Sequence, residues 1–215
     1  MLYAQLINDG GPIMWVILAG SLIAVFVFLK KVFQFHRDEI NVRELLRGLF
    51  NVLKRDGFVE AITLCDNTPG PAARLLAAAI LACERGDEDI QQAIDDAVLE
   101  EMPKLERHIN LLGTIGYVMP LIGFLGTVLG MMRTFQVVSN TEFFSAERIS
   151  EAMNMALITT AASLVVAIPC YIAYNYLVSR VNSITLDMEK ASLEIMNFFD
   201  RHEIKTTGTL QDDQA

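Results

Sequence analysis

Three threonines stand where a polar side chain is expensive. Thr127 lies inside an uncharged stretch at 111–132, and Thr159 and Thr160 lie inside a second at 152–179. Each stretch is long enough to cross a bilayer, which takes about 20 apolar residues. A hydroxyl at membrane depth costs free energy unless it is paired. Such a group can relay or orient a proton. It can equally bond back to a carbonyl of its own helix, as Thr and Ser often do. Counting from the ends of the two stretches, Thr127 and Thr160 both fall roughly 8–12 Å below the same membrane boundary at about 1.5 Å per residue. Antiparallel neighbours would bring them to a similar level.

The first stretch also carries Gly123, Gly126 and Gly130. Gly126 and Gly130 share one helix face, and Gly123 widens it. Small residues at this spacing let another helix approach closely. Pro120 and Pro169 are grouped with these glycines as packing positions.

Neither stretch contains Asp, Glu, His, Lys or Arg. A chain that moves protons with its own groups needs an ionisable one at membrane depth, so a carboxylate would have to come from another chain. Enzyme chemistry finds no support. Ser163 has no membrane histidine to activate it, because His36, His108 and His202 lie outside the spans. There is no zinc, P-loop or dinucleotide motif, and no catalytic residue, metal or cofactor is assigned. Asp95-Asp96 and Glu100-Glu101 read as a solvated helix face. Cys65, Cys83 and Cys170 have no ligand or disulfide spacing and read as reduced and buried. A net charge of −9 argues against nucleic acid, which needs a basic face.

These groups need elements to hold them. Mean hydropathy is +0.37 and 53% of residues are apolar, more than the roughly 45–50% of a soluble domain. A third apolar stretch, 10–29, is followed directly by Lys30 and Lys31. It lacks a basic lead-in and a cleavage site and reads as a retained span. Trp15 sits near its outer boundary. Of the 17 Lys and Arg, 11 fall between Lys30 and Asn110, two between Arg133 and Glu151 and four in the tail. Basic flanks stay inside, so the N-terminus is expected outside and the middle segment inside.

The fold class expected is all-α: three transmembrane helices extended into a cytoplasmic helical domain, assembled as a homo-oligomer. The boundaries expected are 1–9 outside, 10–35 first span, 36–110 inside, 111–136 second span, 137–150 outer loop, 151–179 third span, and 180–215 an inner helix with a disordered tail. Within the middle segment, 42–55 is amphipathic, 58–65 is a short helix, and 72–84 is an alanine-rich helix closed by Gly86. From Asp87, read as an N-cap, a helical pattern runs through 111 into the second span. Pro103 is expected to kink that helix without ending it.

The run Pro120-Leu121-Ile122-Gly123-Phe124-Leu125-Gly126-Thr127-Val128-Leu129-Gly130-Met131, then 156–169 and Ala173-Tyr174-Asn175, resembles the second- and third-span motifs of the MotA/TolQ/ExbB proton-channel family. The resemblance is strongest to the ExbB/TolQ branch, and Gly11-Pro12-Ile13-Met14-Trp15 is similar to the family's first-span opening. It implies a homopentamer in the bacterial inner membrane, around a pore that holds single-span ExbD/TolR-like chains bearing a membrane Asp. It implies that Thr127 and Thr160, with Thr159 beside them, line the ion path. It further implies that proton flow drives a periplasmic protein of TonB or TolA type.

Three residues depart from the family pattern. Met155 stands where many members carry a Glu at the outer pore mouth, and the nearest acid is Glu151, one turn further out. Ser163 replaces a usual Gly, and Lys30 replaces a common acid. Two rival readings are a flagellar-type stator, which has four spans, and a non-conducting scaffold of the same fold. Single cysteines placed at 139–146 are expected to react with an impermeant thiol reagent from outside, and those at 60–100 only after permeabilisation. The reverse order would overturn the orientation.

Overall fold

The computed structural model describes residues 11–38, 42–55, 57–86, 89–140 and 146–201. The positions 1–9, Gly10, Asp87, 141–145 and the tail from 202 lie outside the described residues. Seven helices account for nearly all of the described chain: α1 (Gly11–Asp38), α2 (Val42–Leu53), α3 (Phe58–Asp66), α4 (Pro71–Arg85), α5 (Ile90–Glu106), α6 (Ile109–Asn140) and α7 (Ala146–Arg201). No strand occurs among the described residues. Three helical stretches are long and apolar enough to cross a membrane.

The chain divides into two units, 1–32 with 108–178, and 33–107 with 179–215. The first unit contains most of α1, all of α6 and the first part of α7. Gly113 of α6 abuts the Tyr174 ring, Gly116 the Tyr171 backbone, Gly123 abuts Ser163, and Gly126 abuts Thr159. Partner numbers fall as the α6 numbers rise, so α6 and α7 are antiparallel. Gly126 also faces Ile13, and Gly20 faces Met119, which makes α1 antiparallel to α6 as well. The start of α1, the end of α6 and the start of α7 thus lie on one side of this unit. Large apolar side chains such as Phe26, Phe124 and Val165 point outward and are mostly exposed. In water that surface would be a liability; in a bilayer it is the normal outer face.

The second unit is built by amphipathic helices. Leu45, Leu46, Leu49 and Leu53 bury one stripe of α2. Pro71 opens α4 at its first turn, and Gly86, at φ 72°, closes it in the left-handed region. Asp89 caps α5 by accepting from the N–H of Gln92 at 3.0 Å. Phe50 of α2 stacks on Phe198 of α7, ring centroids 4.7 Å apart. Cys65 and Cys83 are buried here as free thiols. Burial, with Asp66 alongside, pushes the Cys65 thiol up to about 11 and leaves it unreactive at neutral pH.

Two expectations need correction. The helix from α5 does not run on into α6. Arg107 turns extended at ψ 129°, and His108 adopts φ 70°, so the helix breaks between Glu106 and Ile109. Pro103 weakens this end, because it offers no N–H to the carbonyl of Leu99 and its ring crowds it. The second correction concerns Glu101. It is not on a solvated face but 4% exposed, bonded to Arg74 of α4 at 2.6 Å and to Lys104 at 2.8 Å. Lys104 also reaches the exposed Glu100, whose carboxyl it holds below the usual range. A buried carboxylate needs such partners, and here it links two helices.

A left-handed backbone costs an L-residue about 1–2 kcal/mol, and glycine adopts it without that penalty. His108→Gly is therefore expected to hold or raise thermal stability in detergent, while the β-branched His108→Val, more strained in this region than histidine, lowers it, so that the two variants differ by about 1–2 kcal/mol. Equal stability of the two variants would mean that the turn at 107–108 is not fixed in this conformation.

Candidate functional site

The close approach of α6 to α7 creates the polar centre of the first unit. Gly123, Gly126 and Gly130 are all buried. Opposite them, Thr159 is 1% exposed and Ser163 is fully buried. A Cβ on Gly123 would overlap Ser163 Oγ and stand 2.7 Å from its Cβ, and one on Gly126 would overlap Thr159 Oγ1. Only a hydrogen in place of a side chain lets the backbones come this near. Pro120 and Pro169 both sit inside unbroken helices. Each removes one helical N–H, a loss that membrane helices tolerate.

The hydroxyls are then accounted for one by one. Thr160 Oγ1 donates across the interface to the carbonyl of Gly123 at 2.9 Å, with a longer alternative to Ala156 of its own helix at 3.2 Å. Thr159 Oγ1 donates to Ala156 at 2.9 Å and Ser163 Oγ to Thr160 at 2.8 Å, both within α7. Thr127 Oγ1 donates to Phe124 at 2.6 Å within α6. Thr127 and Thr160 come to one level. In an α-helix the Gly123 carbonyl also accepts the N–H of Thr127, so both residues converge on that one oxygen. Thr127 and Thr160 are half-buried, whereas Thr159 faces the interior of the unit.

Each of these O–H groups is engaged with a backbone carbonyl. What Thr127 and Thr160 still offer are oxygen lone pairs, since a hydroxyl donates once and accepts twice. No Asp, Glu, His, Lys or Arg occurs in 111–132 or 152–179. At the far end of the unit, Met155 lies against Gly11 of α1, and its sulfur accepts from Arg133 Nη1 at 3.4 Å. Glu151, one turn before it, is exposed.

Three residues of this contact carry no packing role in the sequence reading. Ser163 figures there only as a nucleophile without a histidine and as a departure from a pattern, yet its side chain fills the space opposite Gly123. The signal was present: it lies four residues after Thr159, on the same helix face. Gly113 and Gly116, which extend the contact line against Tyr174 and Tyr171, were also unremarked.

The profile of the MotA/TolQ/ExbB proton channel family matches residues 67–190. The chain is 24% identical over 179 residues to a putative biopolymer transport protein ExbB homolog of Methanothermobacter thermautotrophicus, covering 83% of this chain and 63% of the relative. It is 28% identical over 168 residues to the putative biopolymer transport protein ExbB-like 3 of Synechocystis, covering 77% of this chain and 80% of the relative. It is 38% identical over 96 residues to the Tol-Pal system protein TolQ of Haemophilus influenzae, covering 45% of this chain and 42% of the relative. The chain thus spans under two thirds of the first and third of these proteins.

The Gly123–Ser163 contact makes a reciprocal prediction. Gly123→Ala should destabilise the unit by about 1–3 kcal/mol, as overpacking does. Adding Ser163→Gly in the same chain should restore most of that loss. Thermal unfolding of the single and double variants in detergent measures it. Strictly additive losses would show that these two residues do not touch.

Proposed function

Because this chain belongs to the MotA/TolQ/ExbB proton channel family, and within it to the ExbB/TolQ branch, we propose that it is the multi-span subunit of a proton-driven motor. It is a multi-pass membrane protein. In this reading five copies surround a pore in the bacterial inner membrane, with the N-terminus periplasmic and the C-terminus cytoplasmic. The pore holds a single-span ExbD/TolR-like chain, whose membrane Asp takes up and releases the proton. The resulting motion is passed to a periplasmic protein of TonB or TolA type. No substrate is turned over chemically.

The observation that carries this reading is the pairing of two facts. Thr160 bonds the Gly123 carbonyl, and Thr127, whose own hydroxyl bonds Phe124, lies within about one helical turn of it in depth. No carboxylate lies anywhere near that depth in this chain's own sequence. Hydroxyl oxygens can accept from a protonated carboxyl or a hydrated proton, but they cannot hold charge themselves. A store for the proton has to arrive with another chain. Thr159 supports this centre from behind and does not reach the path. Met155 gives a second reading its footing. With a thioether beside Arg133 at the proposed outer mouth, a non-conducting scaffold of the same fold is the alternative.

Both readings are separated by current. The purified oligomer alone, in liposomes with a proton-sensitive dye, is expected to pass little or no proton flux. Flux should appear with a single-span partner that carries an acidic residue at the level of Thr127 and Thr160, and vanish when that residue becomes Asn. Thr127→Val and Thr160→Val should assemble normally and lose most of the flux; Thr160→Val also gives up the cross-helix bond, about 1 kcal/mol. Strong flux without a partner would defeat the mechanism. Absence of flux with every acidic partner would favour the scaffold.

A further inference from the structure

Within the membrane unit, a groove of about 820 Å³ runs between α1 and α7. It extends along α1 from Ser21 to Val32 and along α7 from Val165 to Tyr176. At about 1.5 Å per residue each wall is roughly 16 Å long, half of the ~30 Å hydrocarbon core. The groove therefore has the depth of one leaflet. A transmembrane helix of another chain crosses both leaflets and needs a seat twice that length. The walls are carbon, from residues such as Val25, Phe28, Val165 and Ile172. Apart from the Cys170 thiol midway along α7, polar side chains line it only at the ends, at Ser21 and at the Tyr176 phenol.

The two ends differ. Ser21 lies at the end nearer the middle of the apolar stretch 10–29. The other end is flanked by Leu29 and Val32, which bracket Lys30 and Lys31 in α1, with Tyr176 at the same level on α7. Lys30 is exposed and Lys31 is buried in this unit. Lysine and tyrosine together mark a membrane–water interface, and lysines there attract anionic headgroups.

We propose that this groove is a binding site for an anionic glycerophospholipid from the leaflet on the Lys30 side. The acyl chains lie between α1 and α7, and the phosphate sits at the level of Lys30 and Tyr176. The site is independent of the threonine centre and of whether the chain conducts protons.

Native mass spectrometry of the full-length, delipidated protein with equal phosphatidylglycerol and phosphatidylcholine tests it. Phosphatidylglycerol should be retained about fivefold better, the factor that ~1 kcal/mol per surface lysine supplies. Ala173→Phe fills the groove and should abolish retention of both lipids. Lys30→Gln should bring the two lipids to near parity without loss of phosphatidylcholine binding. Equal retention of the two lipids by the unaltered protein, or full retention by Ala173→Phe, overturns the site. A photo-crosslinker at Ile172 provides a check that does not depend on folding of the filled variant. Transfer to lipid supports the proposal; a covalent dimer of this chain would put a second copy in the groove and overturn it.

Discussion

The structure of the membrane unit rests on one close approach. Gly123 and Gly126 of α6 bring their backbone against Thr159, Thr160 and Ser163 of α7. Inside a bilayer, apolar side chains gain little by leaving lipid for one another. Helix association there depends on van der Waals fit and on hydrogen bonds between helices. The glycines supply the first. The bond from Thr160 to the Gly123 carbonyl supplies the second, and it exists only because Gly123 has no side chain to hold α7 away. The same register carries Tyr171 onto Gly116 and Tyr174 onto Gly113, so one contact line fixes the pairing along most of the interface.

That packing also decides what the polar centre can offer. Serine and threonine at membrane depth must use their protons, and here they use them on backbone carbonyls. The hydroxyls are not idle donors waiting for an ion. They are oriented acceptors, fixed by the helices that position them. In the proposed motor this suits a partner that arrives protonated and leaves its proton elsewhere, and it gives the hydroxyls a structural task whether or not an ion passes. Assembly and ion movement would share the same few atoms.

The second unit uses different physics. Its stability comes from water-driven burial of amphipathic helices, with the Phe50–Phe198 stack joining α2 to α7. Glu101 is the exception within it. Held by Arg74 and Lys104, it sets how α4 meets α5 by charge and direction instead of by shape alone. The break at Arg107 and His108 falls at the boundary between the units.

The fold class, the three apolar helices and the family were legible in the sequence. These depend on local quantities: length of uncharged runs, helical periodicity, and a glycine–threonine motif whose order is visible in one dimension. A similar level for Thr127 and Thr160 along antiparallel helices was legible too, because rise per residue is constant along a helix. Which hydroxyl crosses the interface, why Thr159 and Ser163 face inward while Thr127 does not, and the burial of Glu101 emerge only from the packed helices. Those outcomes depend on rotation of each helix about its axis and on the register between neighbours. A shift of one residue turns a helical side chain by about 100°, which follows from 3.6 residues per turn. The break at His108 escaped for a related reason. A helical pattern continues across it in sequence, and nothing local announces that a non-glycine residue adopts a left-handed conformation there.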